Sequence, residues 1–347
     1  MTAAEPHILF ENRGALGLVT LNRPRQLNAL THGMCIGLGR QLALWAADPA
    51  IKAVVVRGAG EKAFCAGGDI RAVWESGRDH TSFAARFFAD EYRLNAAIAR
   101  FAKPYIALWH GIVMGGGAGV SVHGRYRLAD RSLVFAMPET GIGFIPDIGA
   151  SFFLPRLAGP AGLYLALAGA RIGQGDALAL GLATHAVDAA DHEALIARLA
   201  DGDDAEAAIA GFRRAPQPAL LGAERHRIDI LFSAPSVEAV LERLDRDGGP
   251  FARDAAAAIR ARSPTSLKLA FQAFRLGETL SLEECLKMEY RAAMRLVGSS
   301  DFQEGVRAQL IDKDQHPAWN PAKLAAVDSA RISAFFQSLD QRDLALP

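Results

Sequence analysis

The sequence predicts a mixed α/β fold, a series of ββα units followed by a mainly helical C-terminal region. Three observations carry that prediction. Short aliphatic and β-branched runs alternate with longer helical ones through the first two hundred residues. Glycine-rich turns recur where a strand runs into a helix. Beyond about Ala200 strand signals nearly vanish, so the expected division is a core of residues 1–200 and a helical region of 201–347.

In chain order, Ile8-Leu9-Phe10 and Gly17-Leu18-Val19-Thr20-Leu21 read as strands. Arg23-Pro24 then blocks further pairing, because proline has no N–H to give a ladder. Met34 to Ala47 reads as a helix with Cys35, Leu38, Leu42 and Trp45 on one face, and Ala53 to Arg57 as the next strand. The unit recurs with a helix over Phe83 to Ala102, a buried strand at Tyr105 to Trp109, a turn at Gly115-Gly116-Gly117 and a strand at Tyr126 to Ala129. A third copy follows with Leu133 to Ala136 as strand and a helical stretch beyond Gly149. Leu163 to Leu182 reads as packed helix broken at Gly173 and Gly181, and Ala186-Val187 as a short closing strand. In the helical half, Ser263-Pro264 reads as a helix start, and Asp312-Lys313-Asp314-Gln315 as a solvated charged loop.

The chain has 347 residues, half of them hydrophobic, with 38 Lys plus Arg against 38 Asp plus Glu. That composition excludes a disordered chain and gives no global attraction to nucleic acid or an anionic membrane. Cys35, Cys65 and Cys285 form no CxxC pair and leave an odd count, against both a disulfide framework and a thiolate zinc site. The start, Met1 to His7, lacks a secretory signal, and no run approaches the roughly eighteen apolar residues of a membrane span. The expectation is a complete, cytoplasmic chain in a reducing compartment.

Three segments are candidates for chemistry. In Lys62 to Ile70 a strand passes through Ala66-Gly67-Gly68 into a helix, a turn whose amides can face developing negative charge. Asp69 suits the helix N-cap, and Cys65, with no histidine near it in sequence, reads as a buried small hydrophobe. His110 to Gly119 is a second strand running into glycines. No Gly-Lys-Ser/Thr follows, which excludes a P-loop, and the dinucleotide fingerprint is incomplete. The remaining functional reading is a second N–H donor at Gly116, which with the turn at Ala66 makes a two-pronged oxyanion hole. His110 and His123 read as packing or capping residues. In Met137 to Gly149 two carboxylates, Glu139 and Asp147, stand in an apolar segment punctuated by Gly and Pro. They either cap helices or sit paired or protonated in an apolar site.

These residues resemble the crotonase (enoyl-CoA hydratase/isomerase) superfamily. The resemblance rests on Leu21-Asn22-Arg23-Pro24 with Asn28-Ala29-Leu30, the Ala63 to Ile70 turn, Lys103-Pro104 with Gly111 and Gly115 to Gly117, and Phe135 to Gly149. It continues through Ser263 to Lys268, Met288-Glu289-Tyr290-Arg291 and Asp301 to Asp314, blocks that are similar to the thioester-hydrolysing branch of the superfamily. What the resemblance implies is a spiral of ββα turns binding an acyl-CoA, its thioester oxygen held by the amides of Ala66 and Gly116. It assigns Glu91 to the acyl pocket, where composition alone reads a solvated helix residue, and Glu139 and Asp147 to catalysis. Hydratases of the superfamily carry a second glutamate three residues after the position of Gly116; Gly119 stands there.

The expected activity is therefore hydrolysis of 3-hydroxyisobutyryl-CoA, as in valine breakdown, and of 3-hydroxypropionyl-CoA, to the free acid and CoA. It needs no metal or redox cofactor, no nucleic acid and no membrane. Glu139 either attacks directly or activates water, and Asp147 orients the substrate hydroxyl or the water. The alternatives are an enoyl-CoA hydratase/isomerase, which can work with one base at Glu139, and an acyl-CoA-binding protein without turnover. The helical C-terminal half is long enough either to form a homo-oligomer or to fold back.

Overall fold

The computed structural model describes residues 6–346, so Met1–Glu5, part of the stretch read for a targeting signal, lies outside the described residues. Nine strands run in the order β1 (Ile8–Arg13), β2 (Leu16–Leu21), β3 (Ala53–Gly58), β4 (Ala63–Cys65), β5 (Tyr105–Trp109), β6 (Ile112–Met114), β7 (Tyr126–Ala129), β8 (Val134–Ala136) and β9 (His185–Ala186). From β3 onward successive strands alternate between two sheets, one ordered β1-β2-β3-β5-β7-β9 and the other β4-β6-β8. That alternation is the ββα repeat seen in three dimensions. The long sheet is parallel except for β1, which pairs antiparallel with β2 across a tight turn. Parallel strands are covered on both faces and so read as continuous apolar runs; all of β2 and all of β5 are buried. One face of this sheet, with Leu16, Leu18, Val55, Ile106 and Leu108, packs on Leu195, Ile196 and Leu199 of the helix His192–Ala200.

Helix α1 (His32–Ala47) buries the expected face, Cys35, Leu38, Leu42 and Trp45, together with Met34. It begins two residues before the expected start because Thr31 caps it, accepting from the Met34 amide. The helix expected over Phe83 to Ala102 ends at Ala99. Ser263 caps the helix Pro264–Gly277 with Pro264 in the first turn, as anticipated. Asp69 occupies the N-cap of the helix Ile70–Arg78, but its side chain makes no capping bond. Asp312 and Asp314 are exposed and both accept from Arg307, at 2.7 and 2.6 Å.

No strand follows β9 among the described residues, in line with the composition shift near Ala200. The compact units, however, do not divide there. Among the described residues, one comprises 6–68, 93–135 and 172–220; the other comprises 69–92, 136–171 and 221–346. The first unit holds the strands and the second is helical. The segments 69–92 and 136–171 join the helical unit because their apolar groups pack there; Phe88 and Phe144 stack with ring centres 5.5 Å apart, and Phe144 meets Phe302 at the same distance.

In the first unit one buried side chain fixes the approach to the β4 turn. Leu27 and Asn28 both take left-handed backbone angles, φ 50° and 57°. Asn28 accepts from the Arg23 amide at 2.9 Å and donates to the carbonyls of Ala59 at 2.9 Å and Ala63 at 2.8 Å. Asn28→Ala strands those three groups, and an unsatisfied buried polar group costs about 1–3 kcal/mol. Urea unfolding of the variant is expected to show a loss of at least that size, and an unchanged midpoint contradicts this role.

Candidate active site

Two sets of residues carry chemistry, one in each unit. In the first unit, β4 and β6 pair in parallel and each leads into a glycine turn. The short helix Gly116–Gly119 lies so close to β4 that a Cβ on Gly117 would meet the Cys65 carbonyl oxygen at 2.1 Å. Only glycine fits there. Gly116 is the first residue of that helix, so its amide has no intrahelical acceptor. The amide of Ala66, by contrast, donates to the Leu27 carbonyl at 3.0 Å. The donor expected at Ala66 is therefore already engaged. The next amides in the same turn, those of Gly67 and Gly68, donate to no acceptor among the described residues. A Cβ on Gly67 would stand 3.7 Å from the Met114 carbonyl oxygen and 4.0 Å from the Gly116 nitrogen, so the two turns lie side by side. Of the amides in this turn, Ala66 is engaged and, among the described residues, Gly67 and Gly68 are not. A cavity of about 520 Å³ lies against the same turn, with Arg25, Leu27, Asn28, Gly60 and Lys62 in its wall.

Cys65 is buried, as expected, and so are Cys35 and Cys285. Burial pushes the Cys285 thiol up to about 12, which removes it as a nucleophile. His110 bonds the Gly60 carbonyl through Nε2 at 2.9 Å, a packing role.

The second unit holds five buried carboxyl groups: Asp301, which accepts from the Ser263 hydroxyl and the Asn320 amide, and Glu91, Glu139, Asp147 and Glu289. Glu139 opens a single 3-10 turn, Glu139–Ile142, and Asp147 precedes a turn into the helix Ala150–Phe153. Neither is the N-cap residue, since Pro138 and Gly149 hold those positions, and helix capping does not describe their backbones. Nor does it describe the side chains, which are withdrawn from water. One oxygen of Glu139, Oε2, has no partner among the described residues, and neither has Oε1 of Glu91. Asp147 accepts from the Tyr92 hydroxyl at 2.6 Å through Oδ2.

Desolvation dominates the electrostatics. Burial lifts Glu139 well above the usual carboxylate range, the nearby Asp147 charge adds to it, and the Glu139 amide and the largely buried Arg262 oppose it. Glu91 rises well above that range through burial and then through Asp147. Asp147 is raised to about 7 by burial, against the pull of Tyr92 and its own amide. Burial and like charge both favour the protonated forms, so the cluster resists carrying several charges at once. It can present a base and an acid side by side.

Glu91 is thus no solvated helix residue; it is 2% exposed. Sequence reasoning missed Tyr92, Arg262 and Glu289. Glu289 left a signal: it lies on the apolar stripe Cys285, Leu286, Ala293, Leu296 of the helix Leu282–Leu296, where a carboxylate needs a reason. No group of three or more His, Cys, Asp or Glu among the described residues is arranged to hold a metal ion, and no helix among them is long and apolar enough to cross a membrane.

A ββα repeat split over two sheets, with paired glycine turns and buried carboxyls, defines a protein of the crotonase type. The chain belongs to the enoyl-CoA hydratase/isomerase family, whose model matches residues 16–336. Among curated relatives, the 3-hydroxyisobutyryl-CoA hydrolase, mitochondrial, of Danio rerio is 46% identical, covering 99% of this chain and 92% of the relative. The protein of the same name from Homo sapiens is 41% identical over the same shares. Among solved structures, a carnitinyl-CoA dehydratase from Mycobacterium thermoresistibile is 40% identical with a TM-score of 0.94, covering 98% of each chain. An enoyl-CoA hydratase from Rhodobacter sphaeroides is 36% identical with a TM-score of 0.93, covering 98% of this chain and all of the other.

The raised carboxyls set the sign of a pH effect. A group that holds its proton more tightly when folded than when unfolded lowers stability as pH rises between the two pKa values. For Asp147 that window runs from about 4, its unfolded value, to about 7. Asp147→Asn removes the titration, so its stability relative to the unsubstituted protein is expected to improve between pH 5 and pH 8. Urea midpoints at the two pH values measure this, and a relative loss at pH 8 contradicts the buried assignment.

Proposed function

We propose that this protein hydrolyses 3-hydroxyacyl-CoA thioesters, 3-hydroxyisobutyryl-CoA first and 3-hydroxypropionyl-CoA with it, to the free acid and CoA. The observation that carries the reading is the buried set Glu91, Glu139 and Asp147, with unpartnered oxygens on Glu91 and Glu139. Buried oxygens of this kind take partners from water or from a ligand's polar groups, and the hydroxyl and thioester of the proposed substrate supply such groups. The names of the curated relatives support the same substrate.

The chemistry needs three things. The thioester oxygen takes negative charge as the carbonyl is attacked, and the amides of Gly116 and of the Gly67-Gly68 turn supply donors for it. Glu139, as carboxylate, either attacks the carbonyl carbon or takes a proton from a water that does. In the first case the C–S bond breaks to give an acyl-glutamyl anhydride, which water cleaves to the acid and Glu139. The second case releases the acid directly. Thiolate is a fair leaving group and accepts a proton from the protonated side of the cluster. Asp147, held by Tyr92, accepts the substrate's 3-hydroxyl. Arg25 and Lys62 in the cavity wall, which also holds Glu61, offer cations to the phosphates of CoA.

No metal or redox cofactor has a step in this scheme. We place the reaction in valine breakdown and the protein in the cytoplasm, while the named relatives are mitochondrial. The second reading, a hydratase, draws on the two solved relatives described as dehydratase and hydratase. Against it, the helix Gly116–Gly119 ends in a buried glycine with no acid to offer.

One assay separates the two. Thiol release from 3-hydroxyisobutyryl-CoA is expected to exceed hydration of crotonyl-CoA by at least about a hundredfold, the contribution of a well-placed acid or base that hydration lacks here. Faster hydration than thiol release by the pure protein rejects the hydrolase.

A further inference from the structure

Glu289 is fully buried, and it does not belong to the set that faces substrate in the scheme above. Both of its oxygens are spent on one short stretch of chain. The Gly149 amide donates to Oε2 at 2.6 Å, and the amide and hydroxyl of Ser151 donate to Oε1 at 2.8 and 2.5 Å. That stretch begins two residues after Asp147. Between them stands Ile148 with φ 56°, followed by Gly149 with φ 85°. Glycine takes this left-handed form freely, but a β-branched residue does so against a clash of its own side chain. A strained conformation persists only where its surroundings hold it, and the bonds from Glu289 close on the far side of it. The next residue on the same helix completes the arrangement. The Tyr290 ring meets the Tyr92 ring edge-on, with centres 6.3 Å apart, and Tyr92 is the donor to Asp147. Two consecutive residues of one helix thus brace the backbone that carries Asp147 and the hydroxyl that Asp147 accepts.

We propose that Glu289 is a positioning residue, which holds the Ile148-Gly149 turn in its left-handed form and thereby aims the Asp147 carboxyl at the substrate's 3-hydroxyl. The proposal rests on the hydrolase reading and deepens it. A side chain that merely capped the helix Ala150–Phe153 would matter for stability and not for the choice between substrates. One that aims Asp147 controls the preference for a 3-hydroxyacyl over a plain acyl thioester.

The test compares kcat and KM for 3-hydroxyisobutyryl-CoA and isobutyryl-CoA in the unsubstituted protein, Asp147→Asn, Glu289→Gln and Glu289→Asp, with thermal unfolding followed in parallel. Glu289→Gln turns an N–H₂ toward donors, and Glu289→Asp keeps the charge but retracts it by a methylene. Each is expected to lower kcat for the 3-hydroxy substrate roughly tenfold to a hundredfold, as a misplacement near 1 Å does, and to lose the 3-hydroxy preference toward that of Asp147→Asn. Adding Ile148→Gly, which makes the left-handed turn strain-free without the brace, is expected to restore part of that preference. Should Glu289→Gln fail to fold, Glu289→Asp decides the matter alone. Variants that keep the full preference while unfolding at a lower temperature overturn the positioning role and leave the hydrolase standing. An unsubstituted protein that releases no thiol, or an Asp147→Asn protein with unaltered preference, overturns the functional reading itself.

Discussion

A carboxyl group taken out of water must keep its proton, find donors or meet a counter-charge, and the helical unit of this protein imposes that choice five times. Glu289 finds donors, three of them in a single turn of chain. Asp147 has one strong donor in Tyr92 and is left near neutrality at about 7. Glu139 and Glu91 have the least, and each keeps an oxygen with no partner among the described residues. These four groups thus form a graded series, from fully hydrogen-bonded Glu289 to the sparsely bonded Glu91 and Glu139. Folding tolerates this because the apolar packing around them, Phe88 on Phe144 on Phe302, is extensive, and stability is given up at functional sites in exchange for chemistry.

The strand-bearing unit meets a complementary constraint. Oxyanion donors must be amides with nothing else to bond, yet a buried amide without an acceptor is also expensive. The ββα repeat sets glycine turns where a strand ends and a helix begins, and the first amides of a helix have no intrahelical acceptor. Gly116 is such an amide. The close seating of Gly117 on Cys65 and the Asn28 hydrogen bonds hold the two turns in place.

Much of this was legible in the sequence. Parallel strands buried on both faces, such as Val54-Val55-Val56 and Tyr105 to Trp109, announce themselves as continuous apolar runs, and α1 showed its buried stripe through simple periodicity. Glu139 and Asp147 were conspicuous because charge is out of place in an apolar segment. What stayed hidden depends on contacts remote in sequence. The Ala66 amide is engaged by Leu27, thirty-nine residues earlier, and no local pattern reports it. Glu91 looks solvated because its burial comes from packing that a helix wheel does not contain. The compact units interleave along the chain, so a composition shift near Ala200 marks the end of the strands without marking a domain boundary.

The central claim is that the Glu139 carboxylate performs the chemical step and that acyl-CoA binding is separable from it. Rapid-quench single-turnover hydrolysis of 3-hydroxyisobutyryl-CoA by Glu139→Gln, alongside its equilibrium dissociation constant, addresses both halves at once. The account predicts a chemical rate at least about a hundredfold below that of the unsubstituted protein, the floor for a lost acid–base group, with a dissociation constant within a few-fold. A Glu139→Gln protein that turns over at a near-normal rate contradicts it and moves the catalytic centre away from this segment.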